Sequence, residues 1–215
     1  LFDEESDSTR SAPGGVMSMA LDWLNVDSPL NRPDLVTGCS MATAGNFFVW
    51  FCQNTSGNEG YYPATYSQAY RTQDQGDVQA LVTMDCSGGA SADRPDIIVG
   101  TKSPTAFQGS FELWTNDNAT TPTLSRTETY PGVGGLAAGS LGEVNALLAA
   151  DFDNDGLKDL AVGTRTATGG QLCFLRNMGK GASPHFTLQK QVDLPGVAVT
   201  ALAAIDANSD GLVDV

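Results

Sequence analysis

"DFDNDGLKDLAVG", residues 151–163, sets four aspartates and one asparagine within nine residues and then turns apolar. Acidic side chains at alternate positions suit convergence into one small loop. The run that follows has the short, apolar make-up of a strand built for burial. A second copy, "DANSDGLVDV", occupies 206–215. Each is preceded by an apolar run, "VNALLAAD" and "VTALAAID". Strand, acidic turn, strand is therefore the local pattern, and its recurrence decides the fold.

Stacking the acidic turns exposes a longer period. "VNALLAADFDNDGLKDLAVGTRTATGGQLCFLRN" (144–177) aligns with "VQALVTMDCSGGASADRPDIIVGTKSPTAFQGSFELWTN" (78–116) and "VMSMALDWLNVDSPLNRPDLVTGCSMATAGNFFVWFCQN" (16–54). A last copy begins at 199. The leading aspartates, Asp22, Asp85, Asp151 and Asp206, lie 63, 66 and 55 residues apart. Every full unit runs in one order: apolar strand, acidic turn, "DLxxG"-type strand, small-residue turn, aromatic-rich strand ending in Asn. A fourth strand fits the remainder, as in "HFTLQKQVDL" (185–194). Four antiparallel strands per unit of this length describe a β-propeller blade.

The expected fold is thus all-β, with about three and a half blades. Residues 1–13 are an acidic lead-in. Blades span 14–76, 77–142 and 143–197, and a fourth begins over 198–215. Propellers typically close with four to eight blades, so the sequence reads as part of a longer chain. The third strand is apolar on both faces: Val49, Phe51, Phe111, Leu113, Leu172 and Phe174 on one, Trp50 and Cys173 with Glu112 on the other. That suits a blade sandwiched between neighbours, and it makes Trp50 and Trp114 packing residues before it makes them an exposed platform.

Composition narrows the function. With 25 acidic against 11 basic residues the net charge is −14, which leaves no basic patch for nucleic acid and favours cations. No run reaches the length of a membrane-spanning helix. The four cysteines form no C-x-x-C pair. A turn centred near Ala44 would put Cys39 opposite residue 50, two short of Cys52. A bulged Cys39–Cys52 bridge and four free thiols both stay open on that register. His185 is the only histidine, sits in "GASPHF", and is better placed as a turn residue than as a base, so no Ser-His-Asp or Cys-His set is supplied. No catalytic residue is assigned.

The acidic turn has the chemistry of a calcium cage. Calcium takes six to eight oxygens at roughly 2.3–2.6 Å. Asp151, Asp153 and Asp155 offer carboxylates at alternate positions, Gly156 permits the bend, the Leu157 carbonyl turns inward, and Asp159 closes the cage. Asp206, Asn208, Asp210, the Leu212 carbonyl and Asp214 repeat the set. An EF-hand is excluded, because its loop wants Glu at position twelve, where Val162 lies within a strand. The turns 22–34 and 85–96 keep a first and a last aspartate but lose the D-x-D-x-D-G core, and are expected to hold without metal or with a weak site.

These features resemble the FG-GAP/VCBS repeat family, the calcium-binding blades of integrin α-subunit-like propellers. The likeness is close at 144–177, strong at 199–215 and weak at 16–54 and 78–116. It implies a propeller, two Ca²⁺ sites on the ten residues just named, and an extracellular, cell-surface or periplasmic setting. The family has no single activity. The leading expectation is a non-catalytic adhesion or scaffold module with a protein partner. The alternatives are a lectin-like glycan binder using Trp23, Trp50 or Trp114, and the propeller domain of a larger secreted enzyme such as a polysaccharide lyase. Sequons at Asn54 and Asn118 fit secretion.

Overall fold

The apolar runs of each unit become strands, and the acidic and small-residue runs become the turns between them. The fold is described from a computed structural model, which describes residues 14–25, 33–40, 45–54, 60–61, 66–86, 94–137 and 139–215. The expected lead-in, 1–13, lies outside the described residues. Fourteen strands occur among them, in three four-stranded antiparallel sheets and one small hairpin.

The first sheet holds β1 (Val16–Asp22), β2 (Asp34–Cys39), β3 (Phe47–Trp50) and β6 (Gln68–Tyr70) in that order. The hairpin β4 (Gln53–Asn54) and β5 (Gly60–Tyr61) is inserted before β6. The second sheet runs β7 (Asp77–Met84), β8 (Asp96–Lys102), β9 (Phe111–Asn116), β10 (Leu124–Tyr130). The third runs β11 (Glu143–Ala150), β12 (Asp159–Arg165), β13 (Gly169–Asn177), β14 (Phe186–Pro195). The all-β class and the four-stranded antiparallel units follow the sequence expectation. The described residues form no closed ring.

The sheets stack face to face, with β1 against β7 and β7 against β11. Val36, Phe47, Val49, Val78, Ile97, Val99 and Trp114 form the core between the first and second sheets. Ile98, Phe111, Leu113, Val144, Leu160, Val162 and Phe186 form the one between the second and third. The second sheet is therefore apolar on both faces because both are covered. Trp114 is buried there against Phe47 and Tyr70, with ring centroids 4.9 and 5.3 Å away. Trp50 is buried on the other face of the first sheet, beside Phe48 and Tyr66.

One contact fixes how neighbouring sheets approach. The glycine five residues into each second strand faces the valine that opens the next unit. A Cβ on Gly38 would lie 2.4 Å from Val78 Cγ1, and one on Gly100 the same distance from Val144 Cγ1. One on Gly163 would lie 2.4 Å from Val199 Cγ1. Real Cβ atoms do not pack that closely, so glycine is required for the sheets to meet at this spacing. Val199 thus sits on the third sheet as Val78 and Val144 sit on theirs, and its N–H donates to the Thr164 carbonyl at 3.1 Å.

Strand register decides one alternative left open by the sequence and corrects one expectation. Gly38 pairs with Phe47, so the β2–β3 turn centres before residue 43 and Cys39 lies beside Asn46, whose carbonyl accepts its N–H at 2.8 Å. Cys52 falls past the far end of β2, where its N–H donates to Asp34 Oδ1 at 2.9 Å. The bridge does not form, and all four cysteines are free thiols. Asp22, taken as the leading aspartate of the first turn, pairs with Asp34 at the position held by Met84 in β7 and Ala150 in β11. Trp23 stands where Asp85 and Asp151 stand. The first turn therefore lacks a leading carboxylate.

Candidate metal centre

The loop 151–159 connects β11 to β12 and is shaped by its own carboxylates. Asp155 N–H donates to Asp151 Oδ1 (3.1 Å) and Asp153 Oδ1 (3.2 Å), and Gly156 N–H donates to Asp151 Oδ2 (2.9 Å). Leu157 N–H donates to Asp155 Oδ1 at 2.9 Å. Asn154 and Gly156 take left-handed backbone angles, φ 60° and 90°, which short polar residues and glycine adopt at least cost. This folding brings Asp151, Asp153 and Asp159 together: one oxygen from each lies within 4.8 Å of the others. Two oxygens on one calcium ion can stand no farther apart than about twice the 2.3–2.6 Å bond, so this spacing fits the ion.

Asp155 is not among the three carboxylates brought together. The Asp155 carboxylate turns towards Arg176 of β13, whose Nη2 lies 2.9 Å from Oδ2, while Nε lies 3.0 Å from Asp153 Oδ2. The N–H of Leu157, then Arg176, holds the Asp155 carboxyl below the ordinary range. Arg176 was not identified from the sequence. Its signal is the strand register, which sets the end of β13 beside the loop. Asp159 is buried, and burial pushes its carboxyl up, helped by the nearby charges of Asp153 and Asp155. A cation among these three groups would remove that repulsion.

The loop 206–214 repeats these contacts position by position. Asp210 N–H donates to Asp206 Oδ1 (3.1 Å) and Asn208 Oδ1 (2.9 Å), and Gly211 N–H to Asp206 Oδ2 (3.0 Å). Leu212 N–H donates to Asp210 Oδ1 (2.8 Å), and Ala207 N–H to Asp214 Oδ2 (3.0 Å). Ser209 and Gly211 share the left-handed angles, φ 62° and 84°. Among the described residues only the first loop gathers three carboxylates, since Asn208 replaces one in the second.

The last aspartate of each turn has a structural role that the ligand pattern concealed. Asp159 accepts the Phe152 N–H on Oδ2 (3.1 Å) and the Asn177 N–H on Oδ1 (2.8 Å). Asp96 does the same with Cys86 and Asn116, and Asp34 with Leu24 and Cys52. One buried carboxylate thus ties the turn to the end of the third strand in every sheet. The Asn ending that strand completes the tie: Asn177 Nδ2 donates to the Lys158 carbonyl and Asn116 Nδ2 to the Pro95 carbonyl. In the first two turns this clamp holds the described residues around the strand ends.

His185 sits in the bend before β14. Its Nδ1 lies 2.9 Å from Glu128 Oε1, so it links the third sheet to the second. Of the three tryptophans weighed as sugar platforms, Trp50 and Trp114 are buried and Trp23 is 43% exposed. Asn118 is exposed beyond β9, with its Oδ1 accepting the Arg94 N–H.

Residues 151–215 match the family model of the FG-GAP-like repeat. The match covers both acidic loops and β12 to β14 of the third sheet, in line with the resemblance drawn from their residues. No curated protein matches the chain. Among the described residues no helix is long and apolar enough to cross a membrane.

Proposed function

We propose that the protein is a calcium-stabilised, non-catalytic interaction module of the β-propeller type, working in an extracytoplasmic setting with a protein partner. The observation that carries it is the convergence of Asp151, Asp153 and Asp159 in a loop whose contacts recur at 206–214. Stacked four-stranded sheets and the FG-GAP-like repeat support the propeller reading. The ion would be held by Asp151, Asp153 and Asp159, with Asp206, Asn208, Asp210 and Asp214 as the second set. It would supply charge neutralisation in the turns that join the first and second strands. Extracellular modules bind calcium at about 0.1–1 mM, a range that external calcium fills.

Calorimetric titration with calcium tests this reading. Two equivalents per chain are expected, with Asp151→Asn and Asp206→Asn each abolishing one. No binding heat at millimolar calcium, with no calcium retained on dialysis, would overturn it.

A further inference from the structure

Carboxylates crowded into one short loop repel one another unless a positive charge stands among them. In the 151–159 loop the chain supplies that charge itself. Arg176 Nη2 lies 2.9 Å from Asp155 Oδ2, and its Nε lies 3.0 Å from Asp153 Oδ2. One planar guanidinium thus spans two carboxylates at alternate loop positions. Strand register shows how particular this placement is. Leu175 pairs with Leu160 as Trp114 pairs with Ile97 and Trp50 with Leu35. The next residue is Arg176 in the third sheet, Thr115 in the second and Phe51 in the first. Among these sheets, arginine stands only beside the turn that has the acidic core.

We infer, on the calcium reading of this loop, that Arg176 is its resident counter-cation, which competes with calcium for Asp153 and Asp155 and so sets the loop's calcium affinity. Asp153 Oδ1 also accepts the Asp155 N–H, and Asp155 Oδ1 the Leu157 N–H. A neutral N–H can share a carboxylate with a cation, since each oxygen has a second lone pair and no net charge is added. A guanidinium cannot share on those terms, because it would leave a full positive charge within a few ångströms of a divalent ion. Asp155 accordingly stands outside the trio of Asp151, Asp153 and Asp159 while Arg176 holds it. For the ion to take the fuller set, the guanidinium must swing away. Its side chain is 45% exposed, so solvent is open to it. Half-exposed ion pairs are modest in strength, which sets the competition at several-fold rather than at orders of magnitude. The result is a loop held in order in calcium-free surroundings and filled where calcium is plentiful.

Calorimetric titration in an Asp206→Asn background, where the first loop alone is left to bind, tests this. Arg176→Gln should bind calcium about three- to tenfold more tightly than its parent, and its unfolding midpoint in EDTA should fall. The opposite signs separate competition from a merely structural arginine, whose loss would weaken both. Arg176→Lys keeps the charge but loses the fork, so it should also bind more tightly than the parent.

Equal or weaker binding by Arg176→Gln overturns the inference and leaves the calcium reading in place. An EDTA midpoint that does not fall shows that the guanidinium does not hold the loop, and overturns it too. Tightening by Arg176→Gln with none by Arg176→Lys assigns the effect to charge at a distance, with the same consequence. Binding by Arg176→Gln but not by its parent keeps the inference and sinks the calcium reading of the parent chain. No binding heat from any of the three sinks both.

Discussion

Asp96→Ala is expected to lower the unfolding free energy by about 2–6 kcal/mol, because it strands two buried N–H groups at about 1–3 kcal/mol each. Asp96 is 6% exposed and accepts from Cys86 N–H at 3.1 Å and Asn116 N–H at 2.9 Å. The other links between the turn and the third-strand end, Asn116 Nδ2 to the Pro95 carbonyl and Arg94 N–H to Asn118 Oδ1, accept neither of these two N–H groups. Asp96→Asn keeps one acceptor oxygen and should lose about half as much. Urea unfolding at neutral pH measures both variants. A loss below about 1 kcal/mol for the alanine variant would place Asp96 among ordinary surface changes and contradict the clamp.

Glu112 should make stability depend on pH. It is fully buried in β9 on the face turned to the first sheet. Burial is the largest cause that raises its carboxyl from 4.5 to about 7. The Gln73 N–H, Arg126 and the Trp114 indole N–H oppose the rise without cancelling it. A raised folded-state value means the folded chain holds a proton between pH 4.5 and about 7 that the unfolded chain has released. Stability therefore falls as pH rises through that window and is level above it, by up to about 3 kcal/mol from this group. Asp96 and Asp159, also raised mainly by burial, act with the same sign. The difference between the wild type and Glu112→Gln isolates Glu112: in EDTA, the wild type should lose stability relative to the variant from pH 4.5 to 7. Parallel curves would place the carboxylate in a wetter site than the structure gives it.

The repeat was legible because its strands carry their burial in the side-chain pattern. "DLVTG", "DIIVG" and "DLAVG" read as strands from composition alone, and β14 was legible from imperfect alternation over 185–194. The first unit misled because Asp22 was matched to Asp85 and Asp151 by residue type, whereas β1 runs as far beyond its bulge as β7 and β11 do, which puts Asp22 level with Met84 and Ala150 and Trp23 in the leading place. Cys39 and Cys52 were judged from a turn centre misplaced towards Ala44, and a shift of that size reverses which residues face each other. The ninth-position aspartates looked like ligands only. Their grip on two N–H groups depends on the third strand returning to the turn, which spacing does not reveal. Arg176 was hidden for the same reason. The glycines were visible, but that each receives a valine some forty residues later emerges only from the stacking.

Thermal unfolding of the wild type and of Asp153→Ala/Asp155→Ala, each in calcium and in EDTA, tests the central claim most directly. An ion that binds only the folded chain at a hundred times its dissociation constant adds about 2.7 kcal/mol per site. At about 2–4 °C per kcal/mol for a chain of this size, two sites should raise the wild-type midpoint by roughly 10–20 °C. The double substitution should lose about half of that rise while leaving the contribution of the 206–214 loop. Midpoints that coincide in calcium and EDTA for both proteins would show that the acidic turns are held by their own hydrogen bonds, and would contradict the account.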